Sequence, residues 1–307
     1  MAPASKKILI VCFTQTGQLR RIVDSITEPL AVDGGIEIYH EGLKPKPAFP
    51  FPWSFDSFFQ VMPESVLGHP CAIEPLTLSG DEDFDLIVIA YQPWFLSPSL
   101  PVHAFFQTPA ARMLLSGKPV LTISGSRNMW VSAYADIRRQ IEEAGGHPVG
   151  TISLCDPAPN MVSAVTIVRW MLQGKQDRFL KFFPPAGVAE ADLRGAARFG
   201  PLIREALLAG DFAPLRGQLV AAGAVEVNPE LVTIEDRVKP IFRFWAGFIR
   251  AKGTAGDSAR LGRIRIFQVY LLTVLYLVSP LVGLVCWALK PFRKEAIRKR
   301  IAAIQSQ

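Results

Sequence analysis

The chain has 307 residues, half of them hydrophobic, and a formal net charge of +6. Its four cysteines, Cys12, Cys71, Cys155 and Cys286, show no paired spacing. The sequence therefore favours neither a disulfide framework nor a zinc site, and we predict no metal. We also expect no signal peptide, because Met1 to Lys7 leads directly into an apolar strand.

The positive charge is concentrated towards the carboxyl terminus. From Arg237 onward the sequence has fourteen Lys and Arg against two acids, whereas the residues before it have nineteen against twenty-five. A uniformly basic surface would favour a nucleic-acid partner, but an acidic globular part with a basic, apolar tail favours anionic lipid. We therefore expect membrane lipid and not nucleic acid as a partner, in a reducing cytoplasm.

The first strand and the turn after it predict an anion site. Ile8 to Phe13 has the pattern of a buried strand, Thr14 to Gln18 that of a polar turn, and Leu19 to Leu30 that of an amphipathic helix. In an open α/β sheet the free N–H groups of such a turn and the positive end of the helix point into one small volume. That volume suits a phosphate held by uncharged side-chain donors.

The sequence of this turn lacks both GxGxxG and GxxxxGK(S/T), which disfavours a dinucleotide site and a P-loop. It resembles the T/S-x-T-G-x-T loop of flavodoxins, which holds the FMN phosphate, with Gln18 in place of the last Thr. A hydroxyl-capped helix start without a ligand is the alternative. The resemblance assigns FMN binding to Thr14, Gln15, Thr16, Gly17, Gln18 and Leu19.

Four more strands alternate with helices along the chain. They are predicted at Ile36–His40, Asp85–Ala90, Pro119–Ser124 and His147–Leu154, and Met161–Leu172 is predicted as the last helix packed on the sheet. This alternation predicts a flavodoxin-like, doubly wound α/β fold with a five-stranded parallel sheet in the order 2-1-3-4-5.

Polar and aromatic loops follow the first, third and fourth strands, which are neighbours in this order. Their convergence at the carboxyl ends of the strands predicts one pocket, and aromatic planes there suit a flat ring. The alternative is that these aromatic residues close the top of the core. The further cofactor-binding candidates are Gln92, Pro93, Trp94, Phe95, Ser124, Gly125, Ser126, Asn128 and Trp130.

Residues 42–80 form an insertion in which prolines alternate with Phe49, Phe51 and Trp53. The prolines exclude a central strand, and the aromatic residues argue against disorder. We interpret the segment as a hydrophobic clasp on its own domain, as a lid over an apolar ligand, or as both.

Six segments together resemble one family. They are Thr14–Leu19, Phe49–Trp53, Met62–Val66, Tyr91–Pro98, Arg127–Trp130 and Ser163–Ile167, and the likeness spans about residues 6 to 215. The chain resembles the dialkylresorcinol-condensing enzyme family (DarA type), which is flavodoxin-like and is associated with forming the aromatic ring of bacterial dialkylresorcinol lipids. The family's partner is a ketosynthase, which supplies a dialkylated cyclohexanedione.

The resemblance implies an FMN-dependent aromatase that oxidises a dialkyl cyclohexane-1,3-dione, a substrate with hydrophobic alkyl chains. The ring loses one hydrogen as a proton and one as hydride, and a flavin accepts hydride whereas ordinary side chains do not. Tyr91, His103 and Arg127 are the candidate catalytic residues, for the base and for stabilising the enolate. Alternatively, His103 is an ordinary helix residue and Arg127 serves only the cofactor.

Two other functions stay open at this point. One is an NAD(P)H-dependent FMN quinone reductase, which differs in substrate. The other is a non-enzymatic flavin electron carrier or scaffold for the ketosynthase, which the aromatic insertion at 42–80 disfavours because carriers are compact. The sequence also leaves a homodimer open.

The chain divides into a predicted FMN-binding domain at 1–175, a helical extension at 176–236 and a basic, membrane-associated tail at 237–307. Within the tail, Pro240–Lys252 has the composition of an interfacial helix, and Ile266–Leu289 runs 24 residues without a charge. Basic residues flank both ends of that run and a proline divides it, so spanning and re-entrant insertion are equal alternatives. Either places the protein at the cytoplasmic face of the inner membrane.

Overall fold

The computed structural model describes residues 5–31 and 34–278. Within them five strands form one parallel sheet, and two short strands form a hairpin. The sheet contains β1 (Lys6–Cys12), β2 (Ile36–Gly42), β3 (Leu86–Tyr91), β6 (Pro119–Ser126) and β7 (His147–Cys155), and the hairpin contains β4 (Pro93–Trp94) and β5 (Ser97–Pro98). The order across the sheet is β2-β1-β3-β6-β7, which confirms the predicted flavodoxin-like α/β fold.

Twelve α-helices lie in the described ranges. They are α1 (Gln18–Thr27), α2 (Phe55–Gln60), α3 (Met62–Leu67), α4 (Leu100–Phe106), α5 (Pro109–Leu115), α6 (Val131–Glu143), α7 (Asn160–Gln173), α8 (Glu190–Gly195), α9 (Phe199–Ala209), α10 (Leu215–Ala221), α11 (Pro229–Arg250) and α12 (Leu261–Thr273).

The central strands are apolar because helices cover both faces of the sheet. Along β1, Ile8 and Ile10 belong to the buried cluster on one face and Leu9 and Val11 to that on the other, as the two-residue period of a strand requires. Side chains of α1 and of α8 to α10 cover the first face, and those of α4 to α6 cover the second.

Residues 176–236, predicted as an extension, contribute to the main core. Leu193, Phe199 and Leu219, from α8, α9 and α10, lie in the same buried cluster as Ile8 and are at most 3% exposed. These helices take the position on the sheet that the sequence analysis had given to Met161–Leu172.

The helix predicted at Met161–Leu172 forms as α7, but it lies across the carboxyl ends of the strands. At its start, Arg127 Nη1 of the loop after β6 donates to Asn160 O at 3.2 Å. Near its end, Trp53 N of the aromatic insertion donates to Met171 O at 2.8 Å. The expectation that this helix packs on the sheet is therefore wrong.

The helices after residue 228 pack against the aromatic insertion. Phe242 and Ile249 of α11 and Phe267 of α12 share a buried cluster with Phe59 and Met62 of α2 and α3. Phe242 and Ile249 belong to the segment predicted as an interfacial helix, and both side chains are buried within the protein. Other apolar side chains of α11 and α12 are exposed, among them Phe244, Phe248, Ile266, Val269 and Leu272.

The uncharged run predicted at Ile266–Leu289 is described only in its first half. It forms the last turns of α12 and a π-helical turn at Val274–Val278, and residues 279–289 lie outside the described residues. Among the described residues, no helix combines the length and the hydropathy needed to cross a bilayer.

A buried ion pair joins α3 to the carboxyl-terminal helices. Glu64 accepts from Arg260 at 2.7 and 2.9 Å and from Arg250 at 3.1 Å. Arg260 is fully buried, so its charge depends on Glu64 for compensation.

We predict that Glu64→Gln destabilises the protein by about 3 kcal/mol, because it leaves the buried charge of Arg260 without a counter-ion. The free energy of unfolding in urea measures the loss. Glu74→Gln is the matched control, since Glu74 pairs with Lys44 at the surface and should change stability by less than about 0.5 kcal/mol. Equal effects of the two substitutions would contradict the structural role given to Glu64.

Candidate functional site

The loop between β1 and α1 has the geometry of an anion cradle. Thr14 Oγ1 accepts from Gly17 N at 3.1 Å, and Thr16 Oγ1 accepts from Gln18 N at 3.5 Å, so each hydroxyl keeps its own proton to donate. Gly17 has a φ of 81°, and a Cβ built on it meets nothing within 4 Å. The helix that follows turns its positive end to this open volume.

Two glutamines of this loop have other partners. Gln15 N donates to Gln92 Oε1 at 2.9 Å, which joins the first loop to the loop after β3, and Gln15 Nε2 donates to Pro50 O at 2.9 Å. The Gln18 side chain is buried and exchanges hydrogen bonds of 3.0 and 3.2 Å with the backbone of Val188. The prediction that this side chain adds a donor to the cradle is therefore corrected.

The second loop folds into the β4-β5 hairpin, beneath the aromatic insertion. Trp94 is half-buried, and its ring centroid lies 5.7 Å from that of Phe13, 5.5 Å from that of Phe49 and 5.7 Å from that of Trp53. Ser65 of α3 donates to the carbonyls of this hairpin, with Trp94 O and Pro98 O at 3.0 Å. The insertion is thus a hydrophobic clasp on its own domain, as one of the two interpretations predicted.

The remaining candidates of the second loop are Gln92, Pro93 and Phe95, all half-buried. Gln92 holds the first loop, as described above. Phe95 has a φ of 50°, and its ring centroid lies 5.2 Å from that of Phe58 in the insertion. Leu19, the last candidate of the first loop, is 1% exposed and belongs to the core below.

The third loop follows β6 and contacts the start of α7. Asn128 Nδ2 donates to Ser163 Oγ at 3.3 Å, next to the bond from Arg127 to Asn160. The side-chain oxygens Asn128 Oδ1 and Asn160 Oδ1 are both buried, and neither has a hydrogen-bond partner among the described residues. Two buried acceptors without donors therefore lie where this loop meets α7.

Several candidates of the third loop serve the core. Ser124 Oγ donates to Ser153 Oγ at 3.0 Å, and Ser126 Oγ lies 3.5 Å from Cys155 Sγ. Gly125 packs on Ile22, since a Cβ built on it would lie 2.8 Å from that side chain. Trp130 is 1% exposed and belongs to the core cluster below the sheet's first face, so the prediction that it lines the pocket is wrong.

Two of the three catalytic candidates are buried. Tyr91 is fully buried in the same cluster as Leu9, and burial raises the pKa of its hydroxyl well above the ordinary value. His103 is buried in α4, with Nδ1 3.1 Å from Gln140 Oε1, and burial lowers its pKa so that the ring stays neutral. The structure therefore corrects the assignment of a catalytic role to either side chain.

Arg127 is the catalytic candidate that the structure keeps at the site. Its guanidinium donates to two uncharged acceptors, Asn160 O and Met129 Sδ, and makes no ion pair with a described carboxylate. Burial lowers its pKa, but a guanidinium remains charged at neutral pH. A cation with uncharged partners at the edge of the loops can receive an anion.

The sequence analysis missed Glu235, which fixes the third loop from α11. Its carboxylate accepts from Ser132 N at 2.6 Å and from Val131 N at 3.4 Å, and so caps the first turn of α6 directly after Trp130. Lys239, one turn further along α11, donates to Asp136 Oδ2 at 2.7 Å. These contacts span more than a hundred residues, and no local pattern marks them.

Comparison with known proteins adds little to this geometry. No protein-family model matches the sequence, and no curated protein matches it. Three solved structures illustrate the likeness found. A flavoprotein from Lactobacillus acidophilus in complex with FMN is 13% identical over 49% of this chain and 93% of its own, with a TM-score of 0.38.

A flavodoxin from the domain Archaea is 12% identical over 66% of this chain and 99% of its own, with a TM-score of 0.36. RosB with a bound intermediate is 12% identical over 73% of this chain and 92% of its own, with a TM-score of 0.32. At these values the likeness carries no conclusion about activity, and the fold assignment rests on the observed strand order.

The buried carboxyl of Glu235 predicts a pH dependence of stability. Burial raises its pKa above the ordinary value, so its contribution to stability is complete at low pH and is lost as the pH rises through the folded-state pKa. Glu235→Gln removes this dependence. Relative to the variant, the wild-type protein should therefore be more stable at about pH 4 than at about pH 7.5 in urea unfolding. Parallel stability curves would contradict this account of the carboxyl group.

Proposed function

We propose that the protein is an FMN-dependent oxidoreductase. The observation that supports this most is the cradle between β1 and α1, where two threonine hydroxyls and Gly17 surround an open volume at a helix start. Its donors, the hydroxyls of Thr14 and Thr16, are uncharged, which suits a phosphate monoester held by hydrogen bonds at a helix start. When bound, FMN supplies a hydride acceptor, which no side chain of the chain can supply.

The other two loops fit the ring of the same cofactor. A flavin ring is flat and carries both donors and acceptors, and the half-buried indole of Trp94 offers a plane. Asn128 Oδ1 and Asn160 Oδ1 offer buried acceptors that lack donors in the described structure. Thr14, Thr16 and Gly17 would hold the phosphate, and Trp94, Asn128 and Asn160 would hold the ring.

We propose further that the substrate is a dialkyl cyclohexane-1,3-dione, which the enzyme oxidises to a dialkylresorcinol. The resemblance of the six sequence segments supports this choice, together with the aromatic insertion that closes over the second loop. Arg127 would stabilise the negative charge of the enolate oxygen. Its guanidinium donates to two uncharged acceptors, so its positive charge is available to an anion. An apolar, aromatic enclosure excludes water and strengthens this charge interaction.

The partner and location follow from the same proposal. A ketosynthase would supply the dione, and two alkyl chains would keep that dione in the membrane, because each methylene favours the bilayer by about 0.8 kcal/mol. The tail at 237–307 would hold the protein at the cytoplasmic face of the inner membrane. In support, Phe244 and Phe248 are exposed one turn apart on α11, and Arg263 lies 4.0 Å from the centre of the Phe248 ring.

FMN binding at the first loop predicts that Thr16→Glu prevents loading of the protein. The new carboxylate would lie beside the phosphate, and like charges in a partly desolvated site cost several kcal/mol, so affinity should fall by about a hundredfold or more. The absorbance of protein-bound flavin after gel filtration measures this.

Thr254→Glu is the matched control, because Thr254 lies in an exposed turn between α11 and α12 and its substitution adds the same charge. It should leave flavin binding unchanged. Wild-type affinity in Thr16→Glu would place the phosphate elsewhere and overturn the assignment of this loop.

The substrate proposal predicts that a dialkyl cyclohexane-1,3-dione, added without oxygen to the flavin-loaded protein, bleaches the oxidised flavin and yields one resorcinol per flavin. Arg127→Gln should lower this rate by about a hundredfold and leave bound flavin in place, and Arg127→Lys should restore part of the rate. No bleaching by the dione, with steady NAD(P)H oxidation in the presence of quinones, would replace the aromatase by a quinone reductase.

A further inference from the structure

The segment between α7 and α8 presents the most exposed large apolar side chain of the described residues. Phe182 is 82% exposed, and Leu180 is 60% exposed. Both lie at the tip of a tight loop that Phe179 and Phe183 close with reciprocal backbone hydrogen bonds of 3.1 and 2.9 Å. We call residues 175–183 the basic hairpin.

The basic hairpin is held in this shape from its base. Gln176 exchanges hydrogen bonds with the backbone of Ala186, at 2.9 and 3.0 Å. At the tip, Leu180 and Lys181 have φ values of 47° and 60°, which residues other than glycine rarely adopt. Such strain persists where the surrounding structure imposes it, and it is frequent at functional segments. The fold therefore presents the apolar tip to the outside.

The charges around this tip are positive. Lys175, Arg178 and Lys181 are exposed and make no ion pair within the described part of the chain. The one acid of the basic hairpin, Asp177, is paired with Arg169 at 2.9 Å. Three free cations thus surround two exposed apolar side chains.

The base of the basic hairpin lies against the aromatic insertion. A Cβ built on Gly174 would be 3.2 Å from Pro52 Cγ, next to the point where Trp53 binds the end of α7. The insertion also packs on α12, where the ring centroids of Phe59 and Phe267 are 6.0 Å apart. Beyond α12 the sequence continues without a charge to Leu289. The basic hairpin and the apolar end of the described chain therefore flank the same insertion.

We infer that the basic hairpin is a contact with an anionic phospholipid bilayer, separate from the tail. Leu180 and Phe182 enter the headgroup region, and Lys175, Arg178 and Lys181 lie against lipid phosphates. A specific protein partner needs about 800 Å² of surface on each side, far more than a loop tip of three residues offers. This inference does not depend on the flavin chemistry, and it adds a contact outside the tail.

A dye that reports on polarity tests it in the full chain. The dye is attached to the cysteine of Phe182→Cys, so that one apolar side chain is lost and Lys175, Arg178 and Lys181 are retained. The unsubstituted protein, treated with the same dye, corrects for labelling of the native cysteines. On phosphatidylglycerol vesicles the emission of the dye at position 182 should shift to the blue. The same dye at Met113→Cys, an exposed apolar position on α5, should not respond. The inference is overturned if the protein floats with the vesicles while the dye at position 182 keeps the emission it has in water. It is also overturned if the protein does not float with the vesicles.

Variants of the basic hairpin give a second readout by vesicle flotation. Leu180→Ser with Phe182→Ser should raise the lipid concentration for half-maximal flotation by about tenfold, and Met113→Ser should leave it unchanged. Arg178→Glu with Lys181→Glu should reduce the preference for anionic over neutral vesicles. Flotation of both double variants like wild type contradicts the contact. Flavin content, measured on the same samples, separates this result from the outcome of the FMN experiment.

Discussion

The placement of the candidate site depends on the buried ion pair between Glu64 and Arg260. Glu64 lies on α3. The next residue of this helix, Ser65, donates hydrogen bonds to the carbonyl oxygens of Trp94 and Pro98. A buried pair adds little net stability compared with apolar side chains, but it allows few alternative arrangements, since an unpaired buried charge is strongly unfavourable. The pair therefore ties the carboxyl-terminal helices, the aromatic insertion and the second loop into one arrangement.

The fold was predictable from the sequence because its signals are local and strong. Buried parallel strands appear as continuous apolar runs, and the alternation of strands and helices leaves few topologies with right-handed crossovers. The polar turn between β1 and α1 was predictable for the same reason, since Thr14, Thr16 and Gly17 lie within four residues and their hydrogen bonds are made inside the loop.

The sequence predicted less well in which direction single side chains at the site point. Tyr91 lies two and four residues after Ile89 and Ile87, which face the core, so strand alternation alone would have placed it there. Trp130 and Gln18 lie at helix starts, where no periodic pattern shows which way a side chain turns. The partners of Gln18 and of the α6 cap, Val188 and Glu235, come from distant parts of the chain, and composition did not distinguish either residue from its neighbours.

The position of α7 puts a helix against the loops at this edge of the sheet. The helix is held by the third loop at its start and by the backbone of Trp53 near its end, and its buried side chains include the small residues Ser163, Ala164 and Thr166. Hydrogen bonds with Gln92, Ser65 and Glu235 hold the three loops, and α7 in turn is held by the third loop and by the aromatic insertion. Contacts distant in sequence thus join the loops of the candidate site, and the segments packed on these loops, α7 and the aromatic insertion, are among those that sequence patterns placed least well.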